Sequence, residues 1–95
     1  MSFDSTTETL LIRVTGKVQG VGFRFSTLRR AHAVGATGWV RNNEDGSVEA
    51  LVQGTPEQVD HMLEWMRQGP PSARVDAIDH ETLQSDRIYR RFEQQ

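Results

Sequence analysis

TLLIRVTGKVQGVGFR, residues 9 to 24, changes character twice, and the two changes set the fold. In its first part Leu10, Ile12 and Val14 alternate with Leu11 and Arg13, a period of two that predicts a strand with one face in a core. Gly16, Gly20 and Gly22 then gather around Gln19 and interrupt the strand. From Phe23 the spacing becomes helical: Phe25 pairs with Leu28, Ala31 follows, and Gly35 supplies a stop, so a helix is expected from Phe23 to Val34. Strand, glycine loop and helix thus follow one another without a gap.

Such a junction is where backbone N–H groups and the positive end of a helix dipole converge, which suits an anion. Gly20 and Gly22 let the backbone turn inward with no Cβ in the way. Arg24, in the first helical turn, adds a planar fork of donors matched to phosphate or carboxylate. The loop is neither of the two common nucleotide-binding glycine motifs, since Phe25 stands five residues after Gly20 where either requires Gly. Spacing alone leaves two readings open: a plain turn followed by a surface arginine, or a cradle for an anion.

Downstream, ATGWVRNN (36–43) and GSVEALVQ (46–53) are strand-like runs joined through Asp45-Gly46, which predicts a hairpin. TPEQVDHMLEWMRQGPP (55–71) carries the start signals of a second helix: Thr55 as cap, Pro56 in the first turn, and Gln58 completing a capping box. Val59, Met62, Leu63 and Met66 form its apolar stripe, and Gly69-Pro70-Pro71 ends it. ARVDAIDHETL (73–83) reads as a further strand, and RIYRRFE (87–93), with Ile88, Arg90 and Phe92 on one face, as a closing one. The order β-α-β-β-α-β, with 87–93 as an extra closing strand, predicts an α+β, ferredoxin-like split βαβ sandwich: an antiparallel sheet with two helices on one face. Residues 1–8 read as a flexible polar lead-in and 9–95 as a single domain.

In that sheet the strand ending at Asn42 is expected beside the first strand and its glycine loop. An amide there has both a donor and an acceptor and can hold a water in one orientation; equally, Asn42 and Asn43 are ordinary hairpin residues. His61, between Glu57 and Glu64 at helical spacing, reads as a surface ion-pairing residue, because a metal site needs about three or four protein ligands. Arg29-Arg30 and Arg90-Arg91 read as solvated pairs. Phe23, Phe25, Trp39 and Trp65 read as core or core-edge aromatics.

Eleven Lys+Arg against thirteen Asp+Glu give a formal net charge of -2, which argues against a nucleic acid backbone or an anionic membrane as the main partner. The chain has no cysteine, so disulfides, thiolate metal sites and thiol catalysis are excluded, and a reducing compartment suits it. MSFDSTTE lacks a basic start and an apolar run, and no stretch approaches the roughly 20 apolar residues of a spanning helix. A cytoplasmic monomer is the default expectation.

Read together, VTGKVQGVGFR (14–24) and GWVRNNEDGSVEALVQG (38–54) resemble the two signature segments of the acylphosphatase family, over about Leu10 to Phe92. The resemblance implies a single acylphosphatase-like domain with the ferredoxin-like fold and no cofactor or metal. It implies hydrolysis of the carboxyl-phosphate anhydride of acyl phosphates to carboxylate and inorganic phosphate. By motif match, Gln19, Gly20, Val21, Gly22 and Phe23 would supply cradle amides, Arg24 would bind the same phosphate, and Asn42 would orient the attacking water. Two departures, the polar lead-in and the EQQ after Phe92, lie outside the motif and are expected not to touch it. The rival functions are a non-catalytic anion-binding module built on the same cradle and, more remotely, RNA binding on the sheet, for which the strands lack a stacking pair of aromatics.

Overall fold

The alternation of the first strand is realised as β1 (Glu8–Lys17), in which Leu10, Ile12 and Val14 are buried on one side. The computed structural model describes residues 7–95. After β1 come α1 (Phe23–Val34), β2 (Thr37–Asn42), β3 (Val48–Gly54), α2 (Pro56–Gln68), β4 (Arg74–Thr82) and β5 (Phe92–Gln94). Of the lead-in expected over residues 1–8, residues 1–6 lie outside the described residues; Thr7 is exposed and Glu8 already belongs to β1.

The strands lie in the order β4-β1-β3-β2-β5. β1, β2, β3 and β4 pair antiparallel, as the ferredoxin-like reading requires, and the short β5 adds to β2 in parallel. The sequence placed the last strand over 87–93, but regular pairing is confined to Phe92–Gln94, and Ile88 is exposed. Only Phe92 of the expected apolar set finds a place in the core.

Across the sheet the register brings Ile12 opposite Ala50 and Ala50 opposite Val40, all fully buried. This face is covered by both helices. α2 contributes the stripe of Val59, Met62, Leu63 and Met66, while α1 contributes Phe23, Thr27 and Ala31. Thr55 and Gln58 form the capping box: the Thr55 hydroxyl accepts from Gln58 N at 3.2 Å, and Gln58 Oε1 accepts from Thr55 N at 2.9 Å. Gln58 Nε2 also donates to the Val34 carbonyl at 3.2 Å. One side chain therefore satisfies orphan groups at the start of α2 and the end of α1.

Of the four aromatics read as core or core-edge, Phe23 is buried and stacks tilted on half-buried Trp65 at 5.7 Å, and Trp39 is half-buried. Phe25 departs from the expectation. It is 55% exposed, on the outer side of α1 with the Arg29 guanidinium over its ring, because the apolar face of the helix passes through Phe23 and Thr27 instead.

On the opposite face of the sheet, Gln53 is the outward residue of an alternating strand and should meet water. It is buried instead, because the chain crosses over it between β4 and β5. Its Nε2 donates to Thr9 Oγ1 at 3.0 Å and to the Arg87 carbonyl at 2.9 Å, and its Oε1 accepts from Tyr89 N at 2.8 Å. The amide does for the crossover what a strand ladder would otherwise do.

Gln53→Leu keeps the volume but puts an apolar side chain at a buried position against the Thr9 hydroxyl, the Arg87 carbonyl and the Tyr89 N–H, which lose their Gln53 partner. It is expected to lower unfolding stability by roughly 2 to 4 kcal/mol, read as a lower urea midpoint at unchanged slope.

Candidate active site

The end of the sheet where β1 and β2 terminate carries the glycine loop, the start of α1 and the β2–β3 hairpin. Val18 is buried and Val21 half-buried against the core, so the loop between them is tethered from below. Gly20 and Gly22 take φ of 75° and 78°, and a Cβ built on either would meet nothing within 4 Å. The backbone there is left-handed and its outer side is open. Gly22 is also the N-cap of α1 and offers no side-chain acceptor, and the first turn contains no acidic residue. The first intrahelical bond runs from Ser26 N to Gly22 O at 3.0 Å. Among the described residues, the backbone N–H groups of residues 19–25 meet no protein acceptor. They form a run of unpaired donors at the positive end of a helix.

Arg24 lies half-buried in that first turn. Its Nη1 donates to the main-chain oxygen of Gln95 at 2.6 Å, while Gln95 N is held by the Val40 carbonyl at 2.8 Å. The segment after Phe92, expected to leave the motif untouched, thus supports its arginine: β5 carries the chain alongside β2 to the end of the sheet where Arg24 lies. A backbone acceptor leaves no side-chain signal, so this support for Arg24 is not legible in the sequence. The other guanidinium N–H groups of Arg24 have no protein acceptor among the described residues.

Asn42 ends β2 opposite Val48, which in turn faces Val14 of β1. Here the expectation of a direct β1–β2 neighbourhood is corrected, because β3 runs between them. Asn42 remains on the helix-bearing side, two strand spacings from Val14, roughly 10 Å across the sheet. Its exposed amide makes no side-chain hydrogen bond among the described residues.

The hairpin after Asn42 is closed as predicted around Asp45-Gly46, and it is heavily cross-braced. Asn43 N donates to the Ser47 carbonyl at 2.9 Å, and Gly46 N to the Asn43 carbonyl at 3.2 Å. Asp45 Oδ1 accepts from the Ser47 hydroxyl at 2.6 Å and from Ser47 N at 2.9 Å, and the Arg13 guanidinium bonds Asp45 Oδ2. These Ser47 bonds, with Arg13 adding to them, hold the Asp45 carboxyl down at about 2, from an ordinary 3.8. On the loop side, Gln19 Nε2 donates to the carbonyls of Asn43 at 2.8 Å and Ser47 at 2.9 Å. The motif match assigns Gln19 only a backbone amide. A two-donor side chain among glycines was the available signal for more.

The remaining candidates are not drawn into this site. His61 pairs with neither glutamate: its Nε2 lies 3.5 Å from Arg30 Nη1, and Glu64 instead bonds Arg67 at 3.1 Å. Arg30 lies over the Trp65 ring, and Arg91 pairs with Glu93 at 3.3 Å. Among the described residues no helix is long and apolar enough to cross a membrane.

Against known proteins, the acylphosphatase family model matches residues 10–94. The chain belongs to the acylphosphatase family. It is 56% identical to an acylphosphatase of Bordetella avium over 91 residues, covering 96% of this chain and 97% of that protein. An acylphosphatase structure from Coxiella burnetii superposes with a TM-score of 0.93 at 32% identity, each chain covered in full. One from Bacillus subtilis gives 0.87 at 34% identity, over 90% of this chain and 96% of that one. The chain is accordingly an enzyme that hydrolyses acyl phosphates, with a carboxylate and inorganic phosphate as products.

Because the Asp45 carboxyl is depressed in the folded protein, it contributes stability in full above about pH 4 and loses it as the pH falls toward 2. Asp45→Ala is expected to melt below the wild type at pH 7, with the gap closing between about pH 4 and pH 2. Thermal scans across that range check it.

Proposed function

We propose that the loop amides of Gln19, Gly20, Val21, Gly22 and Phe23, together with Arg24, bind the phosphoryl group of an acyl phosphate, and that Asn42 orients the water that attacks it. The observation that supports this reading is the run of unpaired N–H groups at the uncapped start of α1, with the Arg24 guanidinium in the same turn. Donors so placed are organised before the substrate arrives, so they stabilise charge on the phosphoryl oxygens without reorganising.

The chemistry asks little more of the protein. Water held by the Asn42 amide attacks phosphorus in line, the bond from phosphorus to the acyl oxygen breaks, and its electron pair leaves with the carboxylate. A carboxylic acid has a pKa of about 4, so this leaving group needs neither a proton nor a Lewis acid. The water's proton passes to an oxygen of the phosphoryl group itself. Catalysis is then positioning plus electrostatic stabilisation, and it proceeds without a metal or cofactor. All the proposed groups come from one chain, which is consistent with a monomer acting on a small soluble substrate in the cytoplasm.

Arg24→Ala should weaken competitive inhibition by inorganic phosphate as well as turnover of benzoyl phosphate; undiminished phosphate affinity would remove Arg24 from the cradle. Asn42→Ala should lose about 10²-fold in kcat, the scale of one positioned polar group, with phosphate inhibition largely kept. Turnover should be unchanged by a chelator, and a loss reversed by added metal would overturn the metal-free route.

A further inference from the structure

In the proposed site the amides and Arg24 hold one end of the reaction and Asn42 the other, yet they belong to segments separated in the chain by nearly the whole of α1. What fixes their separation is visible in the hydrogen bonds between the loop and the hairpin. Gln19 Nε2 donates at 2.8 and 2.9 Å to the carbonyls of Asn43 and Ser47. These carbonyls stand at the mouth of the hairpin, where Asn43 N already bonds Ser47 O, and Asn43 directly follows Asn42. The acceptors are themselves immobilised, since Ser47 is buried and braced by Asp45, Asn43 Nδ2 and Arg13. Among the described residues, no other side chain of the 18–22 loop hydrogen-bonds the hairpin.

We infer that the Gln19 side chain is a positioning residue for hydrolysis: it clamps the cradle loop to the hairpin and so sets the distance from the bound phosphoryl group to the water held by Asn42. The inference rests on the site proposed above and acts through Asn42 rather than on substrate. It also accounts for the choice of side chain. Both N–H groups of one primary amide are spent on two carbonyl oxygens, a task for which a carboxylate has no donor and a hydroxyl only one.

The test is a double-mutant cycle on benzoyl phosphate turnover, with inhibition by inorganic phosphate measured alongside. Gln19→Leu should retain phosphate affinity within a few-fold while kcat falls by about 10²-fold, the effect of a displacement of about 1 Å. Combined with Asn42→Ala it should add almost nothing to the loss of Asn42→Ala alone, because the water would already lack its holder. Wild-type turnover of Gln19→Leu, or multiplicative losses in the double variant, would overturn the clamp while leaving the site intact. If Asn42→Ala itself kept full activity, the site reading and the clamp would fall together. Gln19→Glu carries the same question should the leucine variant not fold. Above the ordinary glutamate pKa of about 4.3 its carboxylate faces two carbonyl oxygens; protonated, it regains one donor. Its kcat relative to wild type should therefore rise as the pH falls from 7 toward that value, and a flat ratio would overturn the clamp.

Discussion

Strand β3 runs between β1 and β2, and its register brings Val14, Val48 and Asn42 into line across the three strands. Side chains alternate faces along a strand, so a slip of one residue between β2 and β3 would turn Asn42 to the open side and bring Val40 out of the core. The burial of Val40, Ala50 and Ile12 therefore does more than stabilise the sheet. It fixes on which side the polar amide at the end of β2 emerges, which is the side where the glycine loop and the start of α1 lie.

The site sits on this frame with little freedom of its own. Val18 and Phe23 are buried at either end of the loop, and the end of α2 packs closely enough that a Cβ on Gly69 would come within 2.5 Å of the Phe23 ring. The hairpin is braced by Asp45, Ser47 and Arg13 and tied to the loop through Gln19. On the proposed mechanism such bracing matters, because donors that meet a developing charge help only if they need not move to do so. In this small domain the polar side chains of the hairpin supply rigidity that a larger core would otherwise provide.

The order of elements and most of their bounds were legible in the sequence, because each has a local cause. Leu10, Ile12 and Val14 alternate; Thr55, Pro56 and Gln58 announce a helix; Gly35 ends one. The glycine loop and Arg24 could be singled out for the same reason. What could not be read depends on contacts distant in sequence. Gln53 looks like an outward strand residue until the crossover covers it, Phe25 looks like a helix-face aromatic until tertiary packing assigns that face to Phe23 and Thr27, and β3 enters between β1 and β2 by topology alone. The role of Gln95 is carried by its backbone, and no side-chain pattern encodes it.

The bond from Arg24 to Gln95 has a further meaning when viewed in time instead of space. It links residues 71 positions apart, and closing so long a loop gains nothing until the intervening structure exists. Strand β5 can dock only on a β2 already paired with β3, and the guanidinium acquires its acceptor only after that docking. A chain with β1 to β4 and both helices formed but β5 undocked would leave Arg24 without this acceptor. On the role proposed for Arg24, competence for chemistry then depends on the docking of a short strand at the edge of the sheet.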